Sequence, residues 1–184
     1  MPTREQRMPA TFVESPHPAT IAPNVLLDQC DLRFQRRSGP GGQHRNKTSS
    51  GVFLHHEPTS LVGEATERRS QADNRAAALN RLRFCLAMEV RTPSIFDGSD
   101  NEIENAFRQQ YTGSPLKINE RNEAKAAVIA LLLNDLHAAG GQPSAVGARW
   151  KVSTSAIVRL IKSHPAAFVL LNSIRDHHLR GPLK

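Results

Sequence analysis

A glycine-rich basic segment constrains this chain more than any other part of its sequence. The thirteen residues from Gln35 to Lys47 have no apolar side chain except Pro40, and Gly41-Gly42-Gln43 lies near their centre. Such a segment cannot bury itself in a core of its own. A Gly-Gly pair permits positive φ angles and a close approach of the backbone to a partner. We therefore predict a loop that offers bare backbone, one amide side chain and cations.

The basic charge of the chain is dense around this segment. Of 184 residues, 24 are Lys or Arg and 17 are Asp or Glu, which gives a net charge of +7. From Leu32 to Gly63 there are five Lys or Arg and a single acid, Glu57. A basic stripe of this kind is typical of surfaces that bind phosphate backbones. A solvated basic loop can have the same charge, so charge alone leaves both interpretations open.

The composition disfavours several classes of protein. The longest apolar stretch, residues 126–133, is far shorter than the ~18 residues of a membrane-spanning helix. Glu5 and Glu14 argue against an organellar presequence, and the N-terminus has no signal-peptide core. Cys30 and Cys85 form neither a disulfide framework nor a metal-binding spacing. We expect a monomer in the bacterial cytoplasm, rather than the mitochondrial matrix, with no metal, no cofactor and no membrane partner.

The pattern of apolar residues predicts an α+β fold. Cys30 to Phe34 is the predicted strand that leads into the glycine-rich segment, and Gly51 to His56 and Leu61 to Ala65 are the predicted strands of a hairpin after it. Ser70 is the predicted N-cap of a long helix, and an apolar stripe of that helix should pack on one face of the sheet. The helix should end at Pro93, because the residue before a proline avoids helical geometry.

We expect four segments along the chain. They are a disordered arm at residues 1–22, the sheet-and-helix domain at 23–91, a linker at 92–119 with one short helix near Glu102 to Tyr111, and an all-α domain at 120–184. In that last domain, Ser144 to Trp150 and Thr154 to Lys162, with a short turn between them, resemble a helix-turn-helix. The alternative is a plain helical bundle that uses the same turn as a corner.

The glycine-rich segment permits only limited chemistry of its own. It lacks the Gly-Lys-Ser/Thr ending of a P-loop and the GxGxxG pattern of a dinucleotide-binding turn. Gln43 cannot act as a general acid, a general base or a nucleophile. Its side-chain amide can position a water molecule or a hydroxyl, and its backbone N–H can donate to developing negative charge. This suggests attack by water in a pocket that a partner supplies.

Three stretches resemble the class I peptide chain release factors and their ribosome-rescue relatives. They are Ser38-Gly39-Pro40-Gly41-Gly42-Gln43-His44 with Asn46-Lys47-Thr48, then Leu54-His55-His56-Glu57-Pro58-Thr59, and then Arg69-Ser70-Gln71 with Asn74-Arg75 and Ala78-Leu79. In that order they resemble the catalytic GGQ loop, the second-strand segment and the helix-opening segment of the family. The resemblance covers about residues 25–91. A second triplet, Gly140-Gly141-Gln142, has no basic flank and is predicted to be a helix C-cap.

The resemblance implies hydrolysis of the ester that joins a nascent peptide to the P-site tRNA. Gly41, Gly42 and Gln43 would be the catalytic residues, and Gln43 would be a candidate for N5-methylation by a glutamine methyltransferase. The RNA-binding residues would be Arg36, Arg37, Ser38, His44, Arg45, Asn46, Lys47, Arg69 and Arg75. The partner would be the ribosome, through its large-subunit RNA and the P-site peptidyl-tRNA.

The form of the chain resembles the stop-codon-independent rescue hydrolases more than a full release factor. Fewer residues precede Asn24 than a codon-reading domain needs, so codon-independent release is expected. The helical second half departs from the basic tail of those rescue hydrolases. A non-catalytic ribosome- or RNA-binding protein, which uses the loop and the C-terminal helices only for docking, is the alternative function.

Overall fold

The structure of the protein is a computed structural model that describes residues 1–35 and 50–184. It confirms the predicted α+β fold class. The strands are β1 (Thr11–Phe12), β2 (Cys30–Gln35), β3 (Gly51–His56), β4 (Leu61–Ala65) and β5 (Val90–Arg91). The helices are α1 (Pro23–Asp28), α2 (Gln71–Glu89), α3 (Glu102–Tyr111), α4 (Ala124–Ala138), α5 (Pro143–Trp150), α6 (Thr154–Lys162) and α7 (Pro165–His177). The chain divides into a sheet unit, Ile21–Leu86, and a helical unit, Met1–Thr20 with Ala87–Lys184.

The sheet unit contains an antiparallel sheet in the order β2-β3-β4. Val52 and Leu54 of β3 are fully buried, since alternate side chains of a strand face the same side of the sheet. α2 contributes the fully buried Ala78 and Leu82 to the same unit. The three strands agree with the predicted ones to within one residue, and the predicted hairpin of β3 and β4 is confirmed.

Gly63 allows β4 to lie directly against α2. A Cβ atom on Gly63 would lie 2.3 Å from the carbonyl oxygen of Ala78 and 2.6 Å from the Cβ of Leu82. Only a residue without a side chain fits this approach. The helix begins after the predicted N-cap, because the hydroxyl of Ser70 accepts a hydrogen bond from the backbone N–H of Asp73 (3.2 Å). α2 ends at Glu89, earlier than predicted, because the next two residues form β5.

The prediction of a disordered arm at residues 1–22 is wrong. β1 lies in this segment and pairs in parallel with β5, and the 3₁₀ turn Pro18–Thr20 is buried. The backbone N–H of His17 donates to the carboxylate of Glu104 (2.8 Å), and its ring Nε2 donates to the carbonyl oxygen of Val90 (3.1 Å). The sequence of residues 1–22 gives no sign of these contacts, because the partners of His17 lie 87 and 73 residues further along the chain.

α4 forms the core of the helical unit. All of its residues from Lys125 to Ala138 are buried, as expected of a helix that is apolar on nearly every side. α3, α5, α6 and α7 pack around it. The prediction of a linker at residues 92–119 is therefore wrong, although the short helix expected within it is present as α3. Arg108 of α3 forms a buried ion pair with Asp135 of α4 (3.1 Å), so this segment is part of the core.

The end of α4 and the two helices after it agree with the sequence predictions. Gly140 and Gly141 have φ angles of +60° and +70°, and the N–H of Gly141 donates to the carbonyl oxygen of Leu136 (2.8 Å), which confirms the predicted C-cap. α5 begins one residue before its predicted start, and α6 has its predicted bounds. Among the helices that the structure describes, none combines the length and the apolar character needed to span a membrane.

Candidate functional site

The candidate catalytic residues lie outside the described part of the chain, within residues 36–49. These residues are Gly41, Gly42 and Gln43. Seven of the nine residues predicted to bind RNA lie there too: Arg36, Arg37, Ser38, His44, Arg45, Asn46 and Lys47. Residues 36–49 lie between β2 and β3 in the sequence, and we call them the connection. The structure describes the part of the sheet unit on either side of the connection, which includes Arg69 and Arg75.

The two ends of the connection join the sheet at the same place. Gln35, the last residue of β2, pairs with Gly51, the first residue of β3. A Cβ atom on Gly51 would lie 3.0 Å from the carbonyl oxygen of Gln35 and 3.0 Å from the methyl carbon of Thr66, so the space beside this last pair is filled. The antiparallel ladder therefore holds the start and the end of the connection side by side.

Asn74 anchors the chain at the end of the connection. Its side chain is fully buried in the first turn of α2. Its Nδ2 donates to the carbonyl oxygens of Ser50 (2.6 Å) and Arg68 (2.9 Å), and its Oδ1 accepts a hydrogen bond from the backbone N–H of Arg68 (3.0 Å). Ser50 is the residue at which the described chain resumes after the connection. A single amide thus ties together the start of β3, the segment after β4 and the start of α2.

Asn74 lies in the helix-opening segment that resembles release factors, but no role for it follows from that resemblance. A signal was present, because asparagine is unfavourable inside a helix unless its side chain has a backbone group to bind. An asparagine in the first turn of a long helix, just after a predicted strand, suggests such an anchor. The identity of its partners depends on tertiary structure, since Ser50 lies 24 residues earlier in the chain.

Both described RNA-binding candidates lie close to this anchor in the sequence. Arg75 directly follows Asn74, and Arg69 lies five residues before it. Both side chains are exposed, and within residues 1–35 and 50–184 neither forms an ion pair. Arg81 differs, because its guanidinium is paired with the carboxylate of Glu67 (2.7 Å). Exposed guanidinium groups without an acid beside them are suited to binding phosphates.

His56, the second of the two adjacent histidines on β3, is held in the sheet unit by hydrogen bonds. His56 is almost fully buried; its Nε2 donates to Oε1 of Gln29 (3.1 Å), and its Nδ1 accepts from the hydroxyl of Thr59 (2.7 Å). Burial lowers the pKa of His56, which favours the neutral ring. Burial also raises the pKa of the Cys30 thiol to about 11, which makes it a poor nucleophile. In the described ranges no group of three or more His, Cys, Asp or Glu could hold a metal ion.

The sheet unit has a small sheet and one long helix, and the Gly-Gly-Gln triplet lies between the first two strands of that sheet. The resemblance to release factors leads us to expect these features. Residues 20–127 match the family described as RF-1 domain. This match covers more than half of the chain, includes the sheet unit with residues 36–49, and ends in the first turn of α4. The chain therefore belongs to the RF-1 domain family of class I peptide chain release factors. Residues 128–184 lie beyond the match.

Several relatives are named as release factors. Peptide chain release factor 1 of Acidiphilium cryptum (strain JF-5) is 41% identical over 100 residues, which is 48% of this chain and 28% of the relative. The mitochondrial peptide chain release factor 1 of Homo sapiens is 38% identical over 104 residues, 55% of this chain and 21% of the relative. Peptide chain release factor 2 of Helicobacter pylori is 34% identical over 124 residues, which is 62% of this chain and 34% of the relative. This chain thus spans between a fifth and about a third of their lengths, and no solved structure matches it.

Proposed function

We propose that this protein hydrolyses the ester bond between a nascent peptide and the P-site tRNA in the peptidyl-transferase centre of the ribosome. The observation that carries this proposal is the Gly41-Gly42-Gln43 triplet with its basic flanks, inside the RF-1 domain match and between two paired strand ends. The relatives named as peptide chain release factors support a ribosome-dependent release reaction. Two of the three relatives described above are bacterial and one is mitochondrial, and we place the activity in the bacterial cytoplasm.

The proposed mechanism uses the backbone as much as the side chains. Gly41 and Gly42 let the chain enter a crowded RNA pocket without Cβ clashes. The backbone N–H of Gln43 donates to the oxygen on which negative charge develops, and its side-chain amide admits water and excludes other nucleophiles. Ribosomal RNA and the terminal ribose of the tRNA supply the remaining orientation. Water attacks the carbonyl carbon of the ester, the bond to the ribose 3′-oxygen breaks, and that oxygen takes up the proton that the water loses. Gln43 itself transfers no proton.

The cations of the sheet unit would hold the domain on RNA. Those within residues 36–49, together with Arg69 and Arg75 beside the Asn74 anchor, would neutralise phosphates around the site. Binding should therefore weaken as the salt concentration rises. Gln43 is also the proposed substrate of a glutamine methyltransferase, and the mass of the proteolytic peptide that contains it tests for an added methyl group.

We further propose that release does not depend on a stop codon. The support is that residues 1–20 and 87–184, on both sides of the sheet unit, fold together as one helical unit. In this proposal the helical unit, rather than a codon-reading element, directs the catalytic connection to its ribosome. This agrees with the resemblance to the compact rescue hydrolases.

The second candidate function is docking without catalysis. It is favoured by one observation, the exposed basic residues of the helical unit, which could bind RNA with no contribution from Gln43. Peptide release from purified ribosomes separates the two candidates. Ribosomes that carry labelled peptidyl-tRNA should be prepared on a truncated mRNA, on a sense codon and on a stop codon, and the freed peptide measured in each case.

Release on the truncated mRNA or the sense codon supports rescue, and release on the stop codon alone supports codon-dependent termination. Gly42→Ala and Gln43→Pro should abolish release while the fold is retained, because the first adds a Cβ and the second removes the N–H donor. Loss of one such donor typically reduces the rate by a factor on the order of 10²–10³. Gln142→Ala is the matched control, since Gln142 belongs to the second Gly-Gly-Gln triplet, at a helix cap. Full activity of Gln43→Pro would contradict the proposal.

A further inference from the structure

The charge of the helical unit is divided unequally along the chain. Residues 92–135 contain seven Asp or Glu and four Lys or Arg, a net charge of −3. Residues 136–184 contain one acid and seven Lys or Arg, a net charge of +6. Between Asp135 and Asp176 there is no acidic residue at all. The modest +3 of residues 92–184 thus conceals a strongly basic segment, and this segment lies beyond the RF-1 domain match.

The basic segment contains a compact helix-turn-helix. α5 has eight residues, α6 has nine, and residues 151–153 form the turn between them. The turn is closed by a hydrogen bond from the N–H of Val152 to the carbonyl oxygen of Gly147 (3.0 Å). A Cβ atom on Gly147 would lie 2.7 Å from the carbonyl oxygen of Val152, so the first helix needs glycine at this point. Ser153 caps α6, because its hydroxyl accepts from the N–H of Ala156 (3.2 Å).

α6 has one buried face and one exposed polar face. Its buried side chains are Ala156, Ile157, Leu160 and Ile161. Its exposed residues are Thr154, Ser155, Arg159 and Lys162. Positions 155, 159 and 162 share one side of a helix, because they are separated by four and three residues. Arg149 and Lys151, at the end of α5 and the start of the turn, are exposed as well. We call Arg149, Lys151, Arg159 and Lys162 the basic face.

The contacts of the basic face are with aromatic rings and backbone oxygens. The guanidinium of Arg149 lies 5.6 Å from the centre of the Phe96 ring, and that of Arg159 donates to the carbonyl oxygen of Pro115 (3.0 Å). Lys162 lies over Phe168 and also donates to the backbone oxygen of Lys184. In the described structure none of the four forms an ion pair with Asp or Glu. Three of the four cations are thus oriented by a ring or a backbone oxygen, and none of the neighbours named is an acidic side chain.

We propose that the basic face binds the phosphate backbone of double-stranded RNA. The choice of RNA as the partner rests on the proposed function, because a protein that acts on ribosomes contacts a particle whose surface contains duplex RNA. The deep, narrow major groove of an RNA duplex does not admit a helix, so the contacts are with phosphates and not with base edges. The hydroxyls of Thr154 and Ser155 add donors suited to phosphate oxygens. The helix-turn-helix thus directs the catalytic connection to structured RNA regardless of sequence.

Direct binding measurements on the full chain test this proposal. The probes are a labelled RNA hairpin duplex and a DNA duplex of the same sequence, titrated between about 50 and about 200 mM salt. The test variant is Lys151→Asn with Arg159→Gln; asparagine suits position 151 because that residue has φ +52°. The matched control is Lys117→Gln with Arg121→Gln, which removes two exposed cations of the same unit outside the basic face.

The test variant should reduce the slope of log K against log salt for duplex RNA by about 2, whereas the control should leave it close to the wild-type value. Equal weakening by both variants would overturn the proposal, as would an unchanged slope in the test variant. Tighter binding to the DNA duplex than to the RNA duplex would assign the face to DNA instead.

Peptide release distinguishes a failure of this inference from a failure of the proposed function. If both hold, the test variant raises the concentration needed for half-maximal release and leaves the maximal rate unchanged, because Gln43 is intact. If the wild-type protein releases no peptide, the proposed function fails, but the duplex-binding slopes still decide whether the basic face binds RNA.

Discussion

The anchor formed by Asn74 should be necessary for both the stability and the activity of the sheet unit. Asn74→Ala removes three hydrogen bonds and leaves the two carbonyl groups of Ser50 and Arg68 and one N–H without their partner. Removal of one hydrogen bond at a partly buried position lowers the free energy of unfolding by about 1 kcal/mol, so removal of all three lowers it by about 3 kcal/mol. Alanine recovers about 0.5 kcal/mol through its higher helix propensity. The net destabilisation of this unit should therefore be about 2.5 kcal/mol.

Hydrogen exchange of the β3 and α2 amides is the appropriate assay, because it reports the free energy of opening of this region by itself. Asn80→Ala is the matched control, since Asn80 lies on the same helix with an exposed side chain. Asn74→Asp keeps the acceptor for the N–H of Arg68 but places a carboxylate against two carbonyl oxygens, so it should destabilise at least as much as alanine. The release rate should fall in both Asn74 variants, because the end of the candidate catalytic connection is no longer held.

The anchoring role of Asn74 would be refuted if the β3 and α2 amides of Asn74→Ala opened with the same free energy as those of Asn80→Ala. It would also be refuted if release by the alanine variant equalled that of the wild type under conditions in which the variant is folded. The first result would mean that the three hydrogen bonds contribute no net stability. The second would mean that the chain at Ser50 need not be fixed for catalysis.

Two further predictions concern the packing and the pH dependence of the fold. Gly63→Ala should destabilise the sheet unit by about 2 kcal/mol or more in denaturant unfolding, because its Cβ would overlap backbone atoms of α2, whereas Gly181→Ala, in open space, should be close to neutral. Burial lowers the pKa of His17 from 6.5 to about 3, with the nearby Arg91 charge adding to the shift, and burial lowers that of His137 to about 4. Below pH ~6.5 the folded protein thus binds fewer protons than the unfolded chain. Because protonation favours the unfolded chain, the free energy of unfolding falls as the pH decreases, by ~1.4 kcal/mol per pH unit for each histidine, whereas above pH ~6.5 these histidines cause no such loss. Fluorescence of Trp150, the sole tryptophan, in denaturant titrations at several pH values measures this loss, and an unchanged pH slope in His17→Gln would contradict it.

The elements that the sequence predicted well are those specified by neighbouring residues. The β3–β4 hairpin follows from alternating apolar residues and a turn, and α2 begins where Ser70 can cap it. α6 has its predicted bounds because a serine cap and a proline lie on either side of it. The candidate catalytic residues were also found from adjacent residues, although residues 36–49 lie outside the described structure.

The predictions that were wrong concern segments whose partners lie far away in the chain. Residues 1–22 have no periodicity, yet β1 finds its partner in β5, and His17 bonds to Glu104. Residues 92–119 contain proline, glycine and serine, yet Arg108 is buried against Asp135. A short-range pattern cannot reveal a hydrogen bond that is formed across such distances, because the local sequence only limits which backbone shapes are available.

The sequence by itself therefore identified the Gly41-Gly42-Gln43 segment as the candidate site and predicted the strands β2, β3 and β4 and the helices α3 and α6 close to their observed bounds. Only the tertiary structure decided that Asn74 anchors the chain at Ser50 and that the first twenty residues join the helical unit. It also decided that the cations of α5, α6 and the turn between them are exposed. The physical reason is that caps, turns and periodicity act over a few residues, whereas burial and exposure depend on which distant segments meet.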